Sequence, residues 1–244
     1  RVPRDIATSF SGNMAIGATY EQFGDQFATT VGNIIGKELA LLGINLNFSP
    51  AIDVNNNPDN PVINIRSFGE DPDRVSELGL AMMNSLQSQN VMATLKHFPG
   101  HGNTHVDSHT GLPSVDFSKC LMDEIELAPF KYAIDNGHPA MVMTAHIQYP
   151  QIDASEIENK HGEKIIVPAT MSRKLMTDIL KNELGFSGVV ISDAMNMAGI
   201  SANFDLAEAT ALSFLAGVDI SLMAYPIRNQ QDIDGFAPFV KNYR

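Results

Sequence analysis

The sequence alternates amphipathic helical stretches with short apolar runs, and this alternation restricts the chain to a few α/β folds. In each predicted helix, apolar residues recur three or four positions apart and form one apolar stripe. Each helix is followed by a short run of β-branched and apolar residues, which predicts a strand. Strands separated by helices in this way are typical of a parallel sheet that is covered on both faces.

Capping residues, prolines and glycines place the predicted elements along the chain. Thr19 and Gln22 resemble a capping box that opens a helix with an apolar stripe from Phe23 to Leu42. Pro72 is suited to the first turn of a second helix. The stripe of this second helix contains Val75, Leu78, Met82 and Leu86. Further helices are predicted over 118–136, 172–184 and 206–216, and strands over 44–48, 91–97, 141–146, 189–192 and 218–223.

Polar residues fall at the carboxyl ends of four predicted strands. Asp53, His97, His146 and Asp193 each lie at or just after the end of a different strand. In a barrel, side chains from several strand ends converge on one face, whereas an open sheet concentrates them at one switch point. We therefore predict an α/β fold of the TIM-type (β/α)8 barrel class, with residues 1–244 forming one catalytic domain.

Composition and charge exclude several classes of protein. Hydrophobic residues make up 44% of the chain and charged residues 18%, which is typical of a globular protein and not of a disordered one. The formal net charge of −12 argues against nucleic acid or an acidic membrane as a partner. No apolar run reaches the roughly 18 residues that span a bilayer, so no membrane-spanning segment is predicted. The single cysteine, Cys120, excludes an internal disulfide.

The segment Lys96–His109 is the most informative part of the sequence. Its histidines, four residues apart, are His97, His101, His105 and His109. On a helix they would share one face and suggest a zinc site. Pro99, Gly100 and Gly102 oppose a helix, so we predict a strand end followed by a long loop. A metal cluster made by a folded-back loop is the alternative, which a chelator would test.

Asp107, His109 and Asp193 are candidates for proton transfer and nucleophilic attack. A carboxylate beside a histidine fixes the imidazole tautomer and raises its basicity, so Asp107 with His109 is suited to act as a general acid and base. The alternative is that His109 is an ordinary exposed loop residue. Asp193 is either the N-cap of the following helix or an attacking carboxylate that forms a covalent glycosyl–enzyme intermediate.

The combination of these motifs resembles the NagZ-type β-N-acetylglucosaminidases of glycoside hydrolase family 3. The segment from Lys96 to Gly102, followed by Asp107-Ser108-His109 and Leu112-Pro113, is similar to the signature of that family. The similarity extends to three further motifs, which are Asn64-Ile65-Arg66-Ser67-Phe68-Gly69-Glu70-Asp71, Ser192-Asp193 and Arg1-Val2-x-Arg4.

The resemblance implies a role for each matched residue. Asp193 would be the nucleophile, and His109, paired with Asp107, would be the general acid and base of a retaining mechanism. The residues expected to hold the sugar are Lys96, His97, Arg66 and Arg4, with Asp53 and His146 assigned on position alone. We expect no cofactor and no bound metal, and the expected substrate is a terminal β-linked N-acetylglucosaminide from chitin oligosaccharides or peptidoglycan-type fragments.

The resemblance also bears on the extent and location of the protein. The family's first two strands are expected before Arg1, and its eighth strand and any further domain after Arg244. We therefore expect a barrel truncated at both ends. The insert 153–167 is similar to that of the larger, often exported bacterial members, which favours a periplasmic or extracellular location over the cytoplasm.

Three other functions compete with hydrolysis of N-acetylglucosaminides. A phosphorylase on the same scaffold is one, because a histidine acid/base does not repel an incoming phosphate as a carboxylate would. An inactive sugar-binding fragment is the second, since strands are expected to be missing from the chain. A family 3 β-glucosidase is the third, and comparing rates on glucosides and N-acetylglucosaminides separates it from the leading hypothesis.

Overall fold

The computed structural model describes residues 7–109 and 111–241, and the chain forms two compact units. The first unit contains the residues up to His105 together with Cys120–Met143. The second contains Val106–Lys119 and the residues from Thr144 onward. No helix among the described residues is long and apolar enough to cross a membrane.

The first unit is built from helices and parallel strands. In chain order its elements are α1 (Asn13–Gly17), α2 (Tyr20–Phe23), α3 (Gln26–Leu41), β1 (Leu46–Asn47), α4 (Pro72–Ser88), β2 (Met92–Phe98), α5 (Lys119–Leu121), α6 (Ala128–Asn136) and β3 (Met141–Thr144). β1 pairs with β2 in parallel, with Leu46 opposite Met92 and Asn47 opposite Ala93. β3 is the neighbour on the other side of β2.

Helix α4 forms as the sequence predicts. Pro72 occupies its first turn, and the side chain of Asp71 caps it by accepting hydrogen bonds from the backbone N–H groups of Asp73 and Arg74. The residues of the predicted stripe are all buried in the core, namely Val75, Leu78, Met82 and Leu86. The helix therefore buries the face that its periodicity predicts, and this burial is the main source of its stability.

The helix predicted to begin at Thr19 is divided in two, and the predicted capping box is wrong. α2 ends at Phe23, Gly24 follows with a positive φ of 56°, and α3 starts at Gln26. The Thr19 side chain makes no capping bond to α2 and donates instead to the carbonyl of Ile16. Glycine adopts this left-handed conformation without steric cost, so Gly24 turns the chain between the two helices.

The predicted apolar stripe is also not the face that α3 buries. The buried residues of α3 are small ones, Ala28, Gly32 and Gly36, whereas Phe27 and Leu42 are exposed. A side chain placed on Gly32 would have its Cβ 2.8 Å from the Cβ of Ser85 and 2.9 Å from the carbonyl oxygen of Met82. The periodicity therefore identified a helix but not its packing face, because α3 meets α4 through close backbone contact at small residues.

The third predicted helix is also interrupted. α5 continues into a π-helical turn at Met122–Glu126, and α6 begins at Ala128, with Pro129 in its first turn. A proline is tolerated there because the first N–H groups of a helix have no partner within the helix. The predicted stretch 118–136 is therefore helical but is not one continuous α-helix.

The second unit contains the predicted insert as a hairpin, followed by the last helices. Its elements are β4 (Glu156–Glu158), β5 (Lys164–Ile166), a π-helix (Lys174–Glu183), β6 (Val189–Ile191), α7 (Ala198–Ser201), α8 (Leu206–Ala216) and α9 (Gln230–Lys241). β4 and β5 are antiparallel, with Ile157 opposite Ile165. The bounds of α8 are those predicted, because Asp205 caps its start and Gly217, at a φ of 116°, ends it.

The strand predicted over 218–223 is reduced to one parallel bridge, between Ile220 and Ile191. Side chains replace parts of the backbone ladder on both sides of this bridge. The carboxylate of Asp219 accepts from the N–H of Val190, and the Ser192 hydroxyl accepts from the N–H of Leu222. The apolar run is therefore held beside β6 without regular strand geometry.

The close contact between α3 and α4 generates a stability prediction. Gly32→Leu is expected to lower the free energy of unfolding by about 1–3 kcal/mol, because the added side chain overpacks the contact although leucine favours a helix more than glycine does. Urea unfolding of the two proteins measures the difference. Lys37→Leu is the matched control, since it places leucine on an exposed position of α3. Equal stability of the two variants would contradict the proposed packing.

Candidate functional site

The first unit places a buried carboxylate behind the end of β2. Asp53 and His97 are both buried, and Asp53 Oδ2 lies 2.8 Å from His97 Nδ1. The other carboxylate oxygen accepts hydrogen bonds from the backbone N–H groups of His97 at 3.0 Å and His101 at 2.9 Å. Both oxygens of Asp53 thus hold the chain that follows β2. In this geometry Asp53 contributes to the site by holding His97. The direct contact between Asp53 and a sugar stays a prediction.

The electrostatics of Asp53 support this arrangement. Burial alone would raise the pKa of its carboxyl. Its electrostatic interaction with His97, the hydrogen bonds from His97 and the electrostatic interaction with His101 outweigh burial and hold the pKa at about 2. The carboxylate is therefore ionised at neutral pH and fixes the orientation of the imidazole.

Arg66 and Lys96 face one cavity of the first unit. Arg66 lies in a 3₁₀ turn at Asn64–Arg66, and its Nη2 is 3.3 Å from His97 Nε2. A guanidinium only donates, so this contact favours the imidazole with its proton on Nδ1, where Asp53 accepts it. Arg66 and Lys96 both line a cavity of about 290 Å³. Three residues predicted to hold a sugar are thus brought together.

A larger cavity of about 820 Å³ lies elsewhere in the first unit, beside Phe68, Glu70, Asp71 and Arg74. Of the two acidic residues that line it, Asp71 caps the N-terminus of α4. Among the described residues, none of those predicted to act in the site lines this cavity. The smaller cavity is the candidate ligand site of the first unit, because Lys96 and Arg66, both predicted to bind the ligand, line it.

The four histidines of the predicted loop have separate partners. His97 and His101 lie edge to face with ring centroids 5.8 Å apart, and His101 Nδ1 is 2.7 Å from the hydroxyl of Thr104. His105 Nδ1 is 3.1 Å from the amide nitrogen of Asn57. Within residues 7–109 and 111–241, no three His, Cys, Asp or Glu side chains are grouped as metal ligands. The chain after β2 is irregular, which confirms the predicted loop.

Glu126 is a buried acid that the sequence did not single out. A side chain at Gly100 would overlap its carboxyl group, so the turn after β2 packs directly against it. Burial, and then the charge of Asp53, raise the pKa of Glu126 well above its usual value, although backbone N–H groups of Gly102 and Asn103 lower it. Glu126 lies four residues from Met122 and four from Phe130, and both of these residues are buried. This helical spacing is the sequence signal that would have predicted the burial of Glu126.

The second unit contains the predicted proton-transfer pair. His109 Nδ1 lies 2.7 Å from Asp107 Oδ1, and the same oxygen accepts from the backbone N–H of His109 at 2.8 Å. The side chain of His109 is 60% exposed and that of Asp107 is 32% exposed. With Nδ1 directed at the carboxylate, Nε2 is the nitrogen that is oriented for proton exchange with a ligand.

Asp193 follows β6 in the same unit and is partly buried. Its Oδ1 accepts from the N–H of Ala194 at 2.7 Å. The alternative reading as a helix N-cap is wrong, because α7 begins only at Ala198 and its N-cap is Met197. Of the two roles considered for Asp193, that of a nucleophile at a strand end remains. This role stays a prediction.

His146 is buried beside the chain that carries Asp193. Its Nδ1 is 2.8 Å from the hydroxyl of Thr170, and its Nε2 is 3.2 Å from the carbonyl oxygen of Ala194. Because that carbonyl only accepts, Nε2 carries a proton in this contact. The geometry favours a role in holding the Asp193 segment, and the predicted contact with a sugar stays a prediction. Arg4, the remaining predicted residue, lies outside the described residues.

The lowered pKa of Asp53 predicts how stability depends on pH. Its folded pKa of about 2 lies below the ordinary aspartate value of 3.8, so the ionised group stabilises the fold above pH 4 and this contribution is lost as the pH falls towards 2. Asp53→Asn should lower the free energy of unfolding at pH 7 by about 2 kcal/mol. The difference from the wild type should shrink between pH 4 and 2 in urea titrations. Asp59→Asn, at an exposed aspartate, is the control; a pH-independent difference for Asp53→Asn would contradict the assignment.

Comparison with known proteins identifies the family. The model of the glycosyl hydrolase family 3 N terminal domain matches residues 1–244. The chain is 54% identical over 240 residues to Beta-hexosaminidase A from Pseudoalteromonas piscicida, covering 98% of this chain and 40% of the relative. It therefore spans less than half the length of that relative.

Solved structures of the same family share the fold. A glycoside hydrolase family 3 β-N-acetylglucosaminidase from Paenibacillus sp. str. FPU-7 is 35% identical with a TM-score of 0.81, covering 98% of this chain and 47% of that one. Native NagZ from Neisseria gonorrhoeae is 31% identical with a TM-score of 0.76, covering 96% and 68%. These matches confirm the predicted α/β fold of the TIM-barrel class, while the extent of the domain stays a prediction. The chain belongs to glycosyl hydrolase family 3 and matches its N-terminal domain.

Proposed function

We propose that the protein removes terminal β-linked N-acetylglucosamine from oligosaccharides by hydrolysis with retention of configuration. The observation that carries the proposal is the hydrogen-bonded pair of Asp107 and His109, which lies in the same unit as the strand-end carboxylate Asp193. Retaining glycosidases need a nucleophile and a separate acid/base, and these residues supply both. The names of the relatives, a β-hexosaminidase and β-N-acetylglucosaminidases, support the same activity.

The proposed reaction has two steps. In the first, His109 protonates the glycosidic oxygen while Asp193 attacks the anomeric carbon, so the C–O bond to the leaving group breaks as the bond to Asp193 forms. In the second, His109 removes a proton from water, which attacks the anomeric carbon and releases Asp193 as a carboxylate. Asp107 holds His109 in one tautomer and stabilises the imidazolium that forms in the second step.

The first unit would bind the sugar. Lys96 and Arg66 are donors that line one cavity, and the imidazole of His97 is oriented by Asp53. Charged donors form stronger hydrogen bonds to hydroxyl groups than neutral donors do, so they suit a small polar ligand. In this proposal Arg4 is a further ligand of the sugar.

The natural substrate and the location are separate proposals. We propose that the glycan is a chitin oligosaccharide or a peptidoglycan-type fragment, and that the protein acts in the periplasm or outside the cell. The hairpin formed by the insert 153–167, similar to that of exported bacterial members, supports this location. Relative values of kcat/KM on chitobiose and on a muropeptide would distinguish the two glycans.

Replacement of the proposed nucleophile tests the mechanism. Asp193→Ala is expected to lower the release of p-nitrophenol from its N-acetyl-β-glucosaminide by more than about a thousandfold, because no covalent intermediate can form. Asp178→Ala, at an exposed aspartate of the same unit, should retain wild-type activity. Wild-type-like turnover by Asp193→Ala would refute the assignment of the nucleophile.

The same assay separates hydrolysis from its alternatives. With high phosphate in the reaction, hydrolysis yields free N-acetylglucosamine, whereas a phosphorylase yields the sugar 1-phosphate. Faster release from the β-glucoside than from the N-acetyl-β-glucosaminide would favour a β-glucosidase instead. Binding of N-acetylglucosamine without any turnover would indicate a sugar-binding protein.

A further inference from the structure

The hairpin of β4 and β5 has a rigid tip. The side-chain oxygen of Asn159 accepts from the backbone N–H groups of His161 at 2.9 Å and Glu163 at 3.0 Å. Its amide nitrogen donates to the carboxylate of Glu163 at 2.9 Å, and Asn159 itself is buried. An asparagine that bonds its own turn in this way holds one backbone conformation.

This tip is bound to the end of α7. The backbone N–H of Lys160 donates to the carbonyl of Asn203 at 2.8 Å, and its ammonium group donates to the carbonyl of Ser201 at 2.6 Å. His161 Nε2 lies 3.0 Å from the carbonyl oxygen of Ala202. The last carbonyls of a helix have no partner within it, so the hairpin tip supplies partners for the end of α7. A helix of four residues depends on such tertiary contacts.

The other side of α7 contacts the loop that carries the proton-transfer pair. The N–H of Gly199 donates to the carbonyl of Ser108 at 3.1 Å, and Ser108 lies between Asp107 and His109. A Cβ on Gly199 would lie 3.0 Å from the carbonyl oxygen of Gly111 and 3.1 Å from that of Ser108. Only a residue without a side chain permits this approach without displacing the loop.

The pair depends on its backbone for its position. The side chains of Asp107 and His109 are both partly or largely exposed, whereas Ser108 is buried. The largely exposed side chain of His109 gains little orientation from packing, so the buried backbone at Ser108 contributes to its position.

We propose that the hairpin tip and α7 position His109 for protonation of the leaving group. Gly199 is the contact residue, and Lys160 and His161 are positioning residues that act through α7. The inference rests on the proposed function and assigns to the insert 153–167 a task in catalysis. It predicts that loosening this support weakens proton transfer and leaves binding of the sugar unchanged.

The test compares leaving groups, because they differ in their need for an acid. p-Nitrophenolate departs without full protonation, whereas phenolate requires the proton. The value of kcat/KM reports the step that forms the glycosyl–enzyme. Gly199→Ala should lower kcat/KM for phenyl N-acetyl-β-glucosaminide by about tenfold, and Lys160→Met by a few-fold, since small displacements of a catalytic group are costly. The values for the p-nitrophenyl substrate should change by less than about twofold, because this leaving group needs little proton donation.

Lys164→Met is the matched control. Lys164 lies on the same hairpin but points towards Glu156, at 3.9 Å, so the ratio of the two substrates should stay at the wild-type value. Thermal unfolding checks that each variant is folded. If Gly199→Ala is not folded, the substrate ratio of Lys160→Met alone decides the test. An unchanged ratio in folded variants overturns the inference. Failure of the wild type to release either phenol overturns the proposed function instead.

Discussion

A buried carboxylate, Asp53, organises the candidate sugar site of the first unit. It accepts hydrogen bonds from two backbone N–H groups and from the imidazole of His97, and these bonds hold the chain that follows β2. An isolated buried charge would be costly, and the electrostatic interaction and hydrogen bonds with His97, together with the interaction with His101, offset that cost. The position of His97, and through it the contact with Arg66, depends on this single ionised group.

Two acids next to each other in this unit have opposite electrostatic behaviour. Asp53 has partners that keep it ionised, while Glu126 is buried with Asp53 as a negative neighbour, so its pKa is raised. The two groups differ because His97 and His101 favour the ionised form of Asp53, whereas burial and the charge of Asp53 disfavour the ionised form of Glu126. The side chain of Glu126 fills the space beside Gly100.

In the second unit, the side chains that have to be oriented are partly or largely exposed. Asp107 and His109 orient each other through a short hydrogen bond, and His109 is largely exposed while Asp107 is partly buried. Buried backbone groups take over that task at Ser108 and Gly199. In the proposed reaction, the exposure of His109 gives a glycan access to the proton donor, and the backbone contact between Ser108 and Gly199 supports its position.

The sequence by itself determined the features that depend on neighbours along the chain. Asp71 and Pro72 start α4, the glycines and Pro99 make the histidine segment a loop, and Asp193 follows a strand. Tertiary structure decided which face of α3 is buried, which partner each histidine has, and that the run 218–223 forms one bridge and no strand. These outcomes depend on contacts between residues far apart in the chain, where a glycine such as Gly32 packs more closely than a phenylalanine. Local periodicity carries no information about such contacts.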